Sequence, residues 1–499
     1  MARLLAGLDI GTSGCKLTAF TPEGMNLGRV YRDYPPSRRA AEHELEAAQI
    51  RKAVDEVLRE AARRWPDIAA IGVTSFGESF VLLDKDDEPL APIMLYTDMR
   101  GADECEAICR AIGREKIARI TGINPHAMYG LPKLMWTKTH RPELYERAVR
   151  ALQMGEYAAY LLTGTAQLDY TLATRTMAFD LRTLDYNEEL LAAAGIQRDL
   201  FSPVVPTGTA TGYIKPKLAA ELGVSPDLLV VLAGQDQISA AVGSGVFAPG
   251  DAVDGAGTVE CITPVFTGIP EHPVMREGGY AIVPYIEPER YVCYAFSFTG
   301  GAAVQWFCDQ LAGHAKADAE RDGMSLYASL EGPSQPEEPT GLLVLPHFAG
   351  AATPYMDSGS KAAIVGLTLA TTQRELFRAV MEGVCYEMRL NMERLAEAGI
   401  HIARLRATGG GANSRIWLQM KADVLNRPVI ALASAEAGGT GAAMLAGVAA
   451  GAFASLEEAA SIMISERETF IPRAKLHKKY SAVYERYAKL YDAVRGIVG

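Results

Sequence analysis

One short pattern occurs twice, about half a chain apart, and it narrows the possible folds more than any other feature. GLDIGTSG, from Gly7, sets an acid, a glycine and a hydroxyl at the bend of a predicted strand-turn-strand, as Asp9-Ile10-Gly11-Thr12 between LLAGLDI and CKLTAF. GDAVDGAGTVECITPVF, from Gly250, repeats it as Asp254-Gly255-Ala256-Gly257-Thr258. Such a repeat predicts two domains built on one plan and facing each other across a cleft. The chain has 499 residues, beyond the roughly 250–300 at which a single core stops growing. The break falls near Gly245 to Asp251, giving domains of 1–247 and 248–499.

Just before that break lies LLVVLAGQDQISAAVGSG, from Leu228. Its leucine and valine run has the length of a strand buried on both faces and stops at Gly234, and Ile238 to Gly243 reads as the start of a small-residue helix. Asp236 therefore sits at the carboxyl end of a buried strand, where α/β sheets bind their ligands. Two readings fit it: an N-cap on the following helix, and a general base beside a glycine that lets a ligand approach the backbone.

Elsewhere the chain alternates strands and helices, which assigns the α/β class. Helices are predicted over Gln49 to Arg64, Asp103 to Ile112 and Lys133 to Thr139, and strands within Ile68 to Asp84, where FGES interrupts an apolar run. AAMLAGVAAGAFA, from Ala442, reads as a close-packed helix, too short and glycine-rich to span a bilayer. SLEGPSQPEEPTG, from Ser329, reads as an exposed loop that carries no chemistry, and Lys475 to Val494 as one charged amphipathic helix.

A net charge of -11 without a basic face excludes a nucleic-acid surface and points to small-molecule partners. The seven cysteines lack CxxC or Cys/His spacing, and Cys105 and Cys109 share a helical face suited to packing. Reduced thiols and an amino terminus that passes straight into a strand are expected of a cytoplasmic protein that uses no membrane.

The first loop offers successive backbone N–H groups, the hydroxyls of Thr12 and Ser13, and Lys16 beyond the last glycine, which together form a phosphate cradle. It is neither a GxxxxGK[ST] loop nor a GxGxxG dinucleotide fingerprint. ATGGGANSRIWLQMKADVLNRPV, from Ala407, places Gly409-Gly410-Gly411 before a helix, where a flat ligand such as adenine can lie against bare backbone beside Asn413 and Ser414. Tight helix packing, which one glycine would satisfy, is the competing explanation. Thr299-Gly300-Gly301 before AAVQWF repeats the glycine-before-helix pattern.

Together these pieces resemble the FGGY family of carbohydrate kinases, within the superfamily that sugar kinases share with actin and the heat-shock chaperones, over essentially the whole chain. AAIVGLTLATTQRELFRAVMEG, from Ala362, resembles the family's carboxy-terminal signature through Gly366, Glu375, Ala379 and Glu382, and Lys133-Leu134-Met135-Trp136 its amino-terminal one more loosely. The resemblance implies two RNase H-like domains of the actin-like ATPase kind around a central cleft, the first binding sugar and carrying the base, the second binding nucleotide. It implies ATP and Mg²⁺ as cofactors. Carried over by position, Asp236 is the catalytic base with Gln237 beside it, and Asp9 helps hold the metal, with Asp236 near it. Gly11, Thr12, Ser13 and Lys16 meet the terminal phosphates. Gly257 and Thr258 form the second loop, Gly301 and Gln305 the nucleotide wall, and Gly410, Gly411, Asn413 and Ser414 the adenosine pocket. Closure of the domains is expected to exclude water.

The sugar pocket departs from the family's best-known members. Xylulose kinases place Met-His where this chain has Gly77-Glu78, and Trp where it has Tyr96. Glu78 resembles a carboxylate that glycerol kinases use on hydroxyls, yet the arginine before it is Gly77 here. Asp98 and Arg100 keep a common D-x-R pattern, whose arginine can be structural, and Gly350 to Pro354 lack both charges of a GERTP segment. Gly77, Glu78, Tyr96, Asp98, Asp236 and Gln237 are the candidate sugar contacts. A carboxylate at Glu78 suits a neutral polyhydroxyl ligand and disfavours an acid such as gluconate unless a cation offsets it. The expected activity is phosphorylation of a ketopentose such as xylulose, with a polyol such as glycerol or erythritol as the alternative. A sugar-independent actin-like ATPase and a binding-only pseudokinase are the competing classes, and a homodimer is a reasonable expectation.

Overall fold

The structure is a computed structural model that describes residues 4–39, 42–332, 338–434 and 436–498. The glycine turn after Ile10 folds the amino terminus into an antiparallel hairpin, β1 (Leu4–Ile10) and β2 (Gly14–Phe20), with Asp9 opposite Lys16. β3 (Asn26–Asp33) pairs antiparallel with β2. α1 (Ala47–Arg64) lays its apolar face, including Ile50, Val54, Val57 and Leu58, into the core beneath them. β4 (Ile68–Ser75) runs parallel to β1 with Thr74 opposite Asp9. A helical section follows, including α2 (Gly130–His140), α3 (Met154–Thr163) and α4 (Tyr170–Thr174). β5 (Ala210–Tyr213) and β6 (Leu229–Gln235) then complete a six-stranded sheet in the order β5-β6-β4-β1-β2-β3. β6 is parallel to β4 and buried beyond Leu229, as its unbroken apolar run predicts, and leads directly into α5 (Asp236–Gly243).

The second half repeats the plan. β7 (Asp251–Ala256) and β8 (Glu260–Thr267) form the antiparallel hairpin, with β9 (Ala295–Ser297) beyond β8. After α6 (Gly301–Gln310), α7 (Leu326–Glu331) and the long α8 (Gln373–Glu397), β10 (Arg404–Thr408) pairs parallel with β7 as β4 does with β1. α9 (Arg415–Leu425) crosses to β11 (Val429–Leu432), parallel to β10.

The chain then leaves this sheet for the first one. α10 (Ala437–Ala449) packs on β1, β4, β6 and α5, and only afterwards does β12 (Glu466–Phe470) return to pair antiparallel with β11. The compact units are accordingly Met1–Gly245 with Ala281–Tyr291 and Glu436–Ile464, and Val246–Tyr280 with Val292–Ala435 and Ser465–Gly499. Small residues make the return possible. A Cβ on Gly7 of β1 would lie 2.1 Å from the Gly439 carbonyl oxygen, and one on Gly72 of β4 2.0 Å from that of Ala442. At such contacts backbone meets backbone, and any side chain would lift the helix off the sheet.

The expected single terminal helix is two, α11 (Ala474–Tyr487) and α12 (Leu490–Val498). Tyr487 donates to Glu387 and Tyr491 to Asp357 at 2.8 Å, so the break lets both phenols turn inward. All seven cysteines are free and buried, and among the described residues no helix is long and apolar enough to cross a membrane.

Candidate active site

β6 ends in a bulge. Its register with β4 shifts between Leu232 and Gln235, and Gly234 between them stands at φ 81°, which a glycine adopts without strain. The cap position of α5 then falls on Gln235, and Asp236 is the first helical residue, accepting the Gln237 backbone N–H at 2.7 Å. The N-cap reading of Asp236 is thereby corrected. Burial raises the carboxyl, and the charges of Asp9 and Glu78 add to that, so it is pushed up to about 7 against the Gln237 N–H and the Arg175 guanidinium.

Asp9 ends β1. The turn after it closes by a bond from the Gly11 N–H to the Gly14 carbonyl at 2.9 Å, and Tyr34 Oη donates to the Gly11 carbonyl at 2.7 Å, which leaves Thr12 and Ser13 at the tip. Lys16 Nζ stands 3.7 Å from Asp9 Oδ2 and 2.8 Å from Oε2 of Glu436, the residue before α10. Burial raises the Asp9 carboxyl, Lys16 opposes this, and Glu436 adds to it. Glu436 stands two residues before Gly438-Gly439-Thr440-Gly441, a glycine cluster that was not singled out from the sequence.

Glu78 sits in the FGES interruption after β4, buried at 6% exposure, with φ 68°. Its Oε1 is 3.3 Å from Nη1 of Arg175, a buried residue in the turn after α4. Gly77 is what admits that arginine: a Cβ at 77 would lie 2.5 Å from Arg175 Cγ. Beneath them Lys133 of α2 donates to the carbonyls of Leu95 at 2.8 Å, Met128 at 2.7 Å and Glu78 at 3.5 Å. Burial brings its ammonium down to about 7 in spite of nearby Glu78 and Asp98. Lys133 therefore ties three separate segments of the chain together. Tyr96 remains 39% exposed, its phenol raised by burial and by the charges of Glu78 and Asp236. Asp98 is fully buried. Its oxygens accept the N–H groups of His43 at 2.9 Å and Arg100 at 3.0 Å and the Arg100 guanidinium at 2.6 Å, and Arg100 also reaches Glu44 at 2.6 Å.

In the second unit, the loop between β7 and β8 is bonded to the start of α6, where the N–H groups of Gly301 and Ala302 donate to Gly257 and Thr258 at 2.9 and 3.0 Å. A Cβ on Gly301 would come within 2.6 Å of the Gly257 carbonyl oxygen. Of the glycines after β10, Gly409 and Gly411 are needed because Ala256 of β7 lies 2.7 and 2.8 Å from where their Cβ atoms would be, whereas Gly410 faces open space. Ser414 caps α9, accepting the Trp417 N–H at 3.0 Å and donating to Glu331. Gly257, Thr258, Gly301, Gln305, Gly410, Gly411, Asn413 and Ser414 all line one cavity of about 1110 Å³. Tyr327 and Glu331 line it as well, and Tyr327 Oη donates to Gln305 Oε1 at 3.1 Å. The reading of Ser329 onward as an exposed loop is corrected for residues 329–331, which close α7 with Glu331 lining the cavity, while residues 333–337 of that segment lie outside the described residues. The second acid of the repeat has also diverged from the first. Asp254 is buried and bound to Lys421 at 2.7 Å, and Glu260 holds the same ammonium.

Two sheets of one plan, each begun by a hairpin with an acid in its first strand, define an α/β protein of the actin-like ATPase fold. Residues 4–243 match the N-terminal domain, and residues 263–450 the C-terminal domain, of the FGGY family of carbohydrate kinases. The chain is 26% identical to the xylulose kinase of Bacillus subtilis, over 99% of its own length and 98% of that protein's. It is 31% identical to the glycerol kinase of Thermococcus gammatolerans, over 94% and 93%. The gluconate kinase of Lactobacillus acidophilus shares its fold with a TM-score of 0.88 at 23% identity, over 100% of this chain and 99% of that one. The chain belongs to the FGGY family of carbohydrate kinases, enzymes that use ATP.

Proposed function

We propose that this kinase phosphorylates a hydroxyl of a small neutral sugar, a ketopentose such as xylulose in first place and a polyol such as glycerol or erythritol in second. The observation that carries the reading is the place of Asp236, the first residue after β6, near the carboxyl groups of Asp9 and Glu78, where its own carboxyl is pushed up to about 7. A base of that strength takes up a hydroxyl proton effectively near neutral pH. Glu78 faces the cations of Arg175 and Lys133, as Asp9 faces Lys16, so the cluster carries no excess of negative charge. What supports a neutral polyhydroxyl acceptor is the set of carboxyl oxygens of Glu78 and Asp236, which accept hydroxyl hydrogen bonds.

In the transfer, Asp236 accepts the proton as the sugar oxygen attacks the γ-phosphorus of ATP in line. The new P–O bond forms while the bond to the bridging oxygen breaks, and that oxygen leaves with ADP. The N–H groups and hydroxyls of Thr12 and Ser13, with Lys16, offset charge on the transferred oxygens. Glu78, Tyr96 and Gln237 orient the sugar hydroxyls, and Asp98 acts through Arg100 to hold the Tyr96 segment. The cavity of the second unit takes the nucleoside: Gly257 and Thr258 toward the phosphates, Gly301 and Gln305 as wall, and Gly410, Gly411, Asn413 and Ser414 at adenosine. The partly exposed carboxylate of Asp9 and that of Asp236 are hard oxygen donors that suit Mg²⁺, an ion bound through one or two carboxylates and substrate phosphates. Held there, Mg²⁺ would neutralise phosphate charge.

An ADP-release screen over ketoses, polyols and aldonates tests the reading, with Asp236→Asn as control. A neutral acceptor is expected to stimulate release with an acid limb near pH 7, and the Asn variant to lose about 10²-fold or more. Stimulation by aldonates alone would overturn the neutral substrate. Full activity of the Asn variant would remove Asp236 from the chemistry, and turnover indifferent to every acceptor would mark a sugar-independent ATPase.

A further inference from the structure

Lys16 lies between two carboxylates from different ends of the chain. Asp9 faces it across the hairpin at 3.7 Å, and Glu436 holds it at 2.8 Å, while Arg29 of β3 takes the other Glu436 oxygen at 2.6 Å. We propose that Glu436 is a positioning residue of the first loop, keeping the Lys16 ammonium off Asp9 so that lysine and aspartate remain separately available to phosphate and to metal. The proposal rests on the reading of this loop as the terminal-phosphate site.

Glu436 is well anchored for this task. Its carbonyl accepts the Thr440 N–H at 2.9 Å and the Thr440 hydroxyl at 2.8 Å, which closes the first turn of α10. The same turn touches β1 through Gly439 against Gly7, and the Gly438 carbonyl accepts the hydroxyl of Ser239 at 2.9 Å. Ser239 belongs to the helix that begins at Asp236, so one turn of α10 is bonded both beside the lysine and beside the base. An arriving phosphate competes for Lys16 with a carboxylate that has a second cation to keep. Arg29, 62% exposed at its side chain, remains with Glu436 when the lysine turns. Without Glu436, the nearest anion to Lys16 is Asp9. Closing that pair would occupy the carboxylate expected at the metal and draw the ammonium away from the phosphates.

The test uses the full chain with Glu436→Gln, Glu436→Asp and, separately, Asp9→Asn. Calorimetry of ADP binding without sugar, across Mg²⁺ concentrations, is read beside thermal stability. Glu436→Gln is expected to weaken metal-dependent ADP binding about 10-fold, as loss of an outer partner does. Glu436→Asp keeps the charge and is expected to recover the binding. A merely structural glutamate would lower thermal stability but leave the Mg²⁺ dependence of ADP binding in place, and that result overturns the proposal. If Asp9→Asn leaves Mg²⁺-ADP binding intact, the first-loop reading fails. If Asp9→Asn weakens binding and Glu436→Gln does not, only the role of Glu436 fails.

Discussion

Gly77 is glycine because a side chain from elsewhere already fills the space next to it. The Cγ of Arg175 lies 2.5 Å from where a Cβ would stand, and this is the buried root of the arginine, not its flexible tip. Gly77→Ala is therefore expected to cost about 1–3 kcal/mol of stability through overpacking and to shift the guanidinium off Glu78. The acceptor KM should rise several-fold while the KM for ATP, bound elsewhere, holds; equal changes in both would refute the link between Arg175 and the sugar. From the sequence, Glu78 could be singled out but looked like a carboxylate without a cation. Its cation arrives from 97 positions away, out of TLATRTMAF, where no spacing or motif distinguishes Arg175 from any other arginine. Asp9, Asp236 and the glycine loops were legible because local backbone demands, a tight turn or a strand end, leave a local trace. Arg175 acts through tertiary packing and leaves none.

Elements carry a similar lesson in the second unit. The carboxy-terminal signature was legible as a pattern, and much of it is helix mechanics: Thr372 and Glu375 form a capping box at the start of α8, and Glu382 accepts the N–H and hydroxyl of Thr340. Across β7, β8 and α9, Lys421 is buried between Asp254 and Glu260. Burial, and then the neighbouring charge of Asp254, raises the Glu260 carboxyl far above its usual range. Removing the cation alone strands that charge. Lys421→Met is expected to lower unfolding stability by about 3–5 kcal/mol in chemical denaturation, whereas adding Asp254→Asn and Glu260→Gln should restore most of it. A single Lys421→Met variant as stable as the parent would show that the triad contributes nothing. The repeat of an acid in both hairpins was visible in sequence, but burial of the second acid depends on Lys421 reaching it across 167 positions.

At the scale of the whole molecule, the α/β class and the doubled plan follow from hydrophobic runs and turns, but the route of the chain does not. AAMLAGVAAGAFA could be read as a close-packed helix, because small residues signal close approach without naming the partner. The partner is the first sheet: Gly7 and Gly72 meet α10 backbone to backbone, and Gly243 of α5 would place a Cβ 1.9 Å from the Ala437 carbonyl oxygen. A fragment ending at residue 247 therefore lacks a helix that buries Met444, Leu445 and a row of alanines against β1, β4 and β6. Apolar burial of that kind is worth about 25 cal/mol per Å². The fragment 1–247 is expected to bind a hydrophobic dye and to unfold without a cooperative transition, while the same fragment joined by a flexible linker to residues 436–464 should recover a sigmoidal far-UV circular dichroism melt. If 1–247 alone melts as cooperatively as the joined form, α10 is a passenger on the first sheet, and the glycines beneath it would need another explanation.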